Sequence, residues 1–417
     1  LLLCFHNHSG FRATRAALRL FIDSAAGGLG IKMQFCKKTF IMQIQISSQF
    51  DAGNIEVVDA SDAQNITLNI RKDTNADTFQ WFYFRVTGGG GQTLRMKILN
   101  AGKASYPEGW EDYMVRASYD TEDWFMVQTH FEDGQLIIDH TPEYNSVFYA
   151  YFAPYSYERH LEFVSNIQYS PLAKYSSLGS TVQGRSIDLL TIGDEHDDAK
   201  KVWVIARQHP GESQVSYFME ALISRLVDID DPVSRTLLNK AVFYVVPFVN
   251  PDGAVAGNLR ANAAGVNLNR EWGNPDQQKA PEVYHILKAM QSTGVDLNLD
   301  IHADEDLPYN FISSIEGIPS FDERLKNLLE KFKNSWVEIS PDFQTKHGYP
   351  VNEPGTANLN ICSKAIGERF KCLSMTIEMP FKDHEALPDP VYGWSPARSE
   401  KLGHSLVDVI GRVIDDL

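Results

Sequence analysis

The sequence predicts an α/β protein whose mixed sheet is flanked by helices and preceded by an antiparallel β-sandwich domain. Two textures carry that expectation. Residues 42–155 hold short apolar runs at close spacing with turn residues between them, the texture of a sandwich. Residues 156–417 alternate apolar runs with stretches of helical periodicity, the texture of a sheet covered by helices. Residues 1–41 fit neither pattern and are expected to be a non-native or disordered extension. Their apolar run is broken by His6, Asn7, His8 and Arg12, whereas a secretory signal places positive charge first and its apolar block second. Met33 and Met42 both fit as start residues.

From Met42 to Pro154, the runs Ile66–Ile70, Trp81–Val86, Leu94–Ile98, Trp124–Val127, Leu136–Ile138 and Val147–Phe152 read as strands. Gly88 to Gly91 and Asp133-Gly134 are the clearest breaks. The spacing predicts an antiparallel sandwich of about seven to nine strands. No catalytic constellation is visible in it.

After Pro154, Tyr157–Ile167 reads as a short helix and Ser177–Ile192 as a hairpin turning at Gln183-Gly184. Strands are expected at Val202–Ala206, Ala241–Val246, Val295–Ile301 and Leu373–Glu378. Helices are expected at Ser213–Val227, Pro281–Met290, Phe321–Trp336 and Ser395–Ile414. In the first of these, Val215, Met219, Leu222, Ile223 and Leu226 share one face, as packing on a sheet requires.

Composition narrows the function classes. The 417 residues are 43% hydrophobic and 22% charged, enough for two or three domains with ample cores. A net charge of −16 argues against nucleic acid or an anionic membrane as the main partner, although a local pocket can still be basic. No segment reaches the roughly 20 apolar residues of a membrane span. Cys4, Cys36, Cys362 and Cys372 form no C-x-x-C pair and read as free thiols, so a reducing, cytoplasmic location is expected.

The chemistry gathers at predicted strand ends, where open α/β sheets place their ligands. His209-Pro-Gly-Glu212 follows the strand Val202–Ala206 and offers two zinc-type ligands, with Gly211 letting the backbone bend between them. His302 closes the strand Val295–Ile301 and completes a His, Glu, His set that leaves one tetrahedral position open. Glu378, at the end of Leu373–Ile377, is placed to act as general base on water. Asn250-Pro-Asp-Gly253 reads as a turn that redirects the chain. Arg260 and Asn269-Arg270 suit a substrate carboxylate and a developing oxyanion, since the guanidinium fork matches two oxygens. Taken singly, His302 reads as a structural histidine, Glu378 as a solvated acid and Arg270 as half of a surface ion pair. In this order and at these strand ends, the set reads as a hydrolytic metal site.

His209-Pro-Gly-Glu212, Asn250-Pro-Asp-Gly253, Asn269-Arg270, His302 and Glu378 together resemble the zinc metallocarboxypeptidases of the carboxypeptidase A type. Trp81–Val86 and Ala150–Tyr157 resemble the N-terminal β-domain and domain junction of their cytosolic carboxypeptidase branch, here in a bacterial form. The resemblance runs from about Met42 to the C-terminus. It implies one zinc ion on His209, Glu212 and His302, with Glu378 as general base. It also implies Arg260 as the group polarising the scissile carbonyl, and Asn269 with Arg270 as the clamp on the terminal carboxylate. Asn267 stands where the digestive enzymes orient a ligand histidine with an aspartate, and its amide oxygen can accept the same hydrogen bond. Tyr349 is the candidate for the family's mobile tyrosine.

The activity so implied is hydrolysis of the last residue from peptide or protein C-termini. The branch is associated with glutamate removal, for which Lys364, Arg369 and Lys382 are the candidate basic residues. The rival is an N-acyl amino acid amidohydrolase of the aspartoacylase or succinylglutamate desuccinylase type, which shares the H-x-x-E…H…E chemistry. Those enzymes are shorter and lack the N-terminal sandwich.

Overall fold

Alternation of buried and outward residues builds the first layers: in Leu94–Ile98, Leu94, Met96 and Ile98 are fully buried while Arg95 and Lys97 lean outward. The computed structural model describes residues 43–417, and Ile44–Leu417 form one compact unit. The extension expected over residues 1–41, with Cys4 and Cys36, lies outside the described residues. Cys362 and Cys372 are free and buried.

Ten strands come first: β1 (Gln45–Ser47), β2 (Glu56–Asp59), β3 (Ile66–Asn69), β4 (Tyr83–Thr87), β5 (Leu94–Ile98), β6 (Arg116–Ser118), β7 (Phe125–Met126), β8 (Gln128–Glu132), β9 (Gln135–His140) and β10 (Ser146–Ala150). They form two five-stranded sheets, β1-β4-β10-β6-β7 and β2-β3-β5-β9-β8. Leu68, Met96 and Ile138 of one sheet and Phe84, Val86 and Tyr149 of the other join the same buried cluster. The sandwich is as expected, but two details differ. Among the described residues it has ten strands rather than seven to nine, and β3 pairs with β5 in parallel. The unexpected strands are short or polar: β2 is exposed along its whole length, so no alternation marks it.

The second part contributes the strands β11 (Ala173–Ser180), β12 (Ser186–Ile192), β13 (Lys200–Ala206), β14 (Ala241–Val246), β15 (Leu297–Asp304), β16 (Phe311–Ser313) and β17 (Leu373–Pro380). Its helices are α1 (Tyr157–Ile167), α2 (Gln214–Leu226), α3 (Pro232–Leu238), α4 (Pro251–Ala256), α5 (Pro281–Thr293), α6 (Glu323–Ile339), α7 (Cys362–Phe370) and α8 (Pro396–Val413). The sheet order is β11-β12-β14-β13-β15-β17-β16. The four central strands are parallel, and β11, β12 and β16 are antiparallel additions at the edges. Every residue of β15 and β17 is buried, because helices cover both faces. On one face lie Phe218 and Leu222 of α2, Trp336 of α6 and Leu406 of α8. On the other lie Ile286 and Leu287 of α5 and Ile366 of α7.

The sandwich packs directly on this second part. Tyr151 stacks on Phe381 with ring centroids 4.5 Å apart, and Ser213 Oγ donates to Ala153 O at 2.8 Å. Buried Arg116 donates to the carbonyls of Phe381 and Trp394 at 3.2 and 3.3 Å.

Candidate active site

Parallel β13, β15 and β17 bring their C-terminal ends to one edge of the sheet, and the site is built there. Beyond β13, Arg207 adopts φ +64°, a left-handed conformation that costs a non-glycine residue about 1 kcal/mol or more. Its buried side chain holds that bend: Nε donates to Pro210 O and Nη1 to Ser216 Oγ, both at 2.7 Å, and the guanidinium lies 4.9 Å from the Phe248 ring. Burial lowers the Arg207 pKa to about 10, so it stays charged at neutral pH. Nothing in the sequence marked this residue. Gly211 is needed for a different reason than expected. It has no left-handed φ, but its N–H donates to Leu259 O at 2.9 Å and a Cβ would stand 3.0 Å from that oxygen.

Asp300 and His302 alternate along β15 and so share a face. In the β15–β17 register, His302 lies beside Glu378 and Asp300 beside Thr376. His209 Nδ1 lies 2.6 Å from Glu212 Oε1, His302 Nδ1 lies 3.0 Å from Glu212 Oε2, and the two Nδ1 atoms are 3.1 Å apart. The outer ring nitrogens are engaged elsewhere: His209 Nε2 meets Asn267 Oδ1 at 3.1 Å, as expected, and His302 Nε2 meets Asp300 Oδ2 at 3.0 Å. Gln208 Nε2 donates to both Asp300 oxygens at 2.8 Å, fixing that carboxylate. Gln208 and the role of Asp300 carried no signal of their own in the sequence.

The electrostatics follow from burial. His209 is pushed down to about 4 by burial and by the charge of Arg260, so its ring is neutral. Burial lowers His302 as well, but Asp300 and Glu212 outweigh it and raise His302 well above its usual value. Burial raises Glu212, yet the two histidines bring it below the usual carboxylate range. Glu378 is driven well above that range by burial, with Glu212, Asp304 and Glu305 adding to it against His302. Among the described residues, Glu378 Oε2 is buried with no hydrogen-bond partner. Two Nδ1 atoms and a carboxylate facing one point, each ring oriented from behind, form a nitrogen–oxygen donor set that fits zinc.

Arg260, Asn269, Arg270, Lys364 and Glu378 line one cavity of about 330 Å³ with the three candidate ligands. Asn269 is held through its oxygen: Oδ1 accepts from Cys362 N at 2.8 Å, while Nδ2 lies 3.3 Å from His302 Nε2, whose proton faces Asp300. Tyr349 also lines the cavity, 45% exposed, with its hydroxyl donating to Asp304 Oδ2. The other two basic candidates do not reach it. Arg369 is exposed and donates to Gly273 O, and Lys382 pairs with Asp306 at 3.3 Å. Asn250-Pro-Asp-Gly253 is more than a turn: Asn250 Oδ1 caps α4 by accepting from Gly253 N, and Asn250 Nδ2 donates to Gln208 O at 3.0 Å. Two further cavity residues, Tyr106 from the sandwich and Glu305, carry no signal of their own in the sequence.

Residues 160–400 match the zinc carboxypeptidase family, and residues 46–152 match the cytosolic carboxypeptidase N-terminal domain. The chain belongs to the zinc carboxypeptidase family. This carboxypeptidase is 44% identical over 376 residues to an uncharacterized protein of Zymomonas mobilis, covering 90% of the chain and 98% of the relative. It is 26% identical to cytosolic carboxypeptidase 6 of Caenorhabditis elegans, covering 80% and 78%. A metallo-carboxypeptidase structure from Burkholderia cenocepacia superposes with a TM-score of 0.86 at 46% identity, covering 90% and 99%. One from Pseudomonas aeruginosa, solved with (2-guanidinoethylmercapto)succinic acid, gives 0.88 at 43% identity, covering 89% and 99%. The carboxypeptidase is thus a peptide hydrolase of a zinc-dependent family, and these matches favour that reading over the amidohydrolase one. Among the described residues, no helix is long and apolar enough to cross a membrane.

Proposed function

We propose that this carboxypeptidase removes single residues from free peptide C-termini, with preference for an acidic last residue. Residues 42–155 serve as its sandwich domain and 156–417 as its catalytic domain. The observation that carries the reading is the convergence of His209, Glu212 and His302 beside the unpartnered Glu378 carboxyl, in a cavity that also holds three cationic side chains.

His209, Glu212 and His302 would hold one zinc ion, which in such sites acts as a Lewis acid and makes water a nucleophile at neutral pH. Arg270 and Asn269 bind the terminal carboxylate and so place the last peptide bond over the ligand cluster. Arg260 turns the scissile carbonyl toward reaction and stabilises the negative charge that develops on its oxygen. Glu378 takes a proton from the attacking water and passes it to the leaving amine; its burial makes its ionised form a stronger base than an ordinary carboxylate. Tyr349, on the cavity rim, is placed to close over a bound terminus. Lys364 supplies the acidic preference. Among the described residues its Nζ donates to neutral oxygens, Ser313 Oγ at 3.4 Å and Ser314 O, and the carboxylates of Glu316 and Glu378 act on its charge without bonding it.

The test is a panel of peptides that differ only in the last residue (Glu, Asp, Lys, Phe, Ala), each free and amidated. Release of single residues from free peptides, fastest for Glu, is expected, with no release from amidated ones. The ligand of the P. aeruginosa relative carries a guanidine as well as a succinic acid, so faster release of Lys is the outcome that would reverse the preference. Glu378→Gln should lower kcat by about 10³-fold with bound zinc unchanged. Retention of more than about a tenth of the turnover removes Glu378 from its role.

A further inference from the structure

The loop that carries Arg260 is held from outside the catalytic half. Asp73, between β3 and β4 of the sandwich, is 4% exposed and spends its carboxylate on three consecutive backbone N–H groups. Oδ1 accepts from Leu259 N at 2.6 Å, and Oδ2 from Arg260 N at 2.8 Å and Ala261 N at 2.9 Å. Thr78 Oγ1 donates to the same Oδ2 at 2.8 Å and fixes its orientation. Bonds from N–H groups to an ionised acceptor are roughly twice as strong as neutral ones, and three on one carboxylate define a loop conformation.

The neighbours continue the grip. Asn54 Nδ2 donates to Gly257 O at 2.7 Å, Thr74 N to Asn258 Oδ1 at 3.0 Å and Asn75 Nδ2 to Ala263 O at 2.9 Å. Leu259 is thereby held from both sides, since its carbonyl accepts from Gly211 N, between two candidate zinc ligands. The far end of Arg260 is held too: its guanidinium carbon lies 5.3 Å from the centroid of the Tyr106 ring, also a sandwich residue. Backbone and side-chain tip of the one residue are therefore set by the domain that contains no ligand.

We propose that Asp73 is a positioning residue for Arg260, and that the sandwich domain thereby holds the carbonyl-polarising part of the active site in place. The proposal rests on the catalytic role assigned above to Arg260. An arginine displaced by about 1 Å still attracts a carbonyl oxygen but misses the developing oxyanion, so the loss belongs to kcat more than to KM.

The test is a double-mutant cycle with Arg260, read with the free peptide that the panel shows to be cleaved fastest. Asp73→Asn is nearly isosteric but leaves one acceptor and points an amide at N–H groups. It should lower kcat by about tenfold or more with KM changed less than about threefold. In an Arg260→Gln background, the same substitution should change kcat by less than about twofold. Equal losses in both backgrounds would mean general damage and overturn the proposal. Full turnover in Asp73→Asn also overturns it, whereas full turnover in Arg260→Gln overturns the role of Arg260 itself. Tyr106→Leu gives a second arm should Asp73→Asn not fold, with the same dependence on Arg260 expected. Amide exchange needs no substrate: protection of Leu259 to Ala261 should fall in Asp73→Asn, and unchanged protection overturns the proposal whatever is cleaved.

Discussion

Lys364 is the residue whose chemistry an assay can tune. Burial pushes its pKa from 10.5 to about 8, so the ammonium is present below pH 8 and absent above it. An acidic terminal side chain meets a positive charge at pH 7 and a neutral amine at pH 9.5. The kcat/KM ratio for Glu over Ala peptides should therefore be flat from pH 6 to 7 and fall as the pH rises through about 8. The ratio is the right readout, because the proton transfer that Glu378 carries out is common to both substrates. Lys364→Met should cut the ratio by about 10- to 100-fold at pH 7, the worth of one hydrogen bond to a charged partner, and remove its pH dependence. A ratio that stays level to pH 10 in the unaltered enzyme takes Lys364 out of the specificity pocket. Three cations suit this role by sequence alone, because sequence position locates only a region. Which of them points inward depends on α7 packing beneath the cavity, and α7 was not among the helices foreseen.

At the scale of elements, the site depends on backbones that approach closely. Gly211 N–H meets Leu259 O, and a Cβ there would also stand 3.1 Å from Leu259 Cα and 3.2 Å from Cδ1. Gly211→Ala therefore has to push the Arg260 loop away from the ligand motif. Overpacking of this kind costs roughly 1–3 kcal/mol. We expect kcat/KM to drop about tenfold or more, since the shift falls on Arg260 and on the segment between His209 and Glu212. Kinetics equal to wild type together with an unchanged melting temperature would show that the loop is free to move. Strands and helices with a full apolar face were legible: β14 and α1 begin and end where the sequence placed them, and α2 within one residue at each end. Elements set by tertiary contacts were not. The six residues of α4 read as a turn because Asn-Pro-Asp-Gly serves a turn and a capped helix start equally well. β16, three residues long, exists because it pairs with β17. Within the site, ligand-type residues at strand ends were visible from spacing, whereas Gln208, Arg207 and Asp73 act through bonds to atoms distant in sequence or to the backbone.

For the whole molecule, the question is whether sandwich and catalytic sheet are separate bodies or one. Their cores are continuous: Trp81, Phe84 and Tyr151 belong to the same buried cluster as Val204, Phe218 and Leu406. The boundary is also crossed by buried polar groups, whose bonds to the other part are lost if the two separate. Arg116 is fully buried and spends its guanidinium on backbone carbonyls, two of them across the boundary, while burial lowers its pKa. Parting the two layers would break these bonds along with those of Asp73 and Asn54 to the Arg260 loop. The shared apolar core would then meet water, at roughly 25 cal/mol per Å² uncovered, so neither part has a stable intermediate in which the other is unfolded. Thermal unfolding should then be a single calorimetric transition, coincident by tryptophan fluorescence and far-ultraviolet dichroism. Zinc, bound only by the folded chain, should move that transition upward as a whole, by about 4 kcal/mol of stability at a thousandfold excess over Kd. Chelation should move it back without splitting it. Two transitions, of which zinc shifts only one, would make the sandwich an independent body and leave the Arg260 loop without its outside anchor.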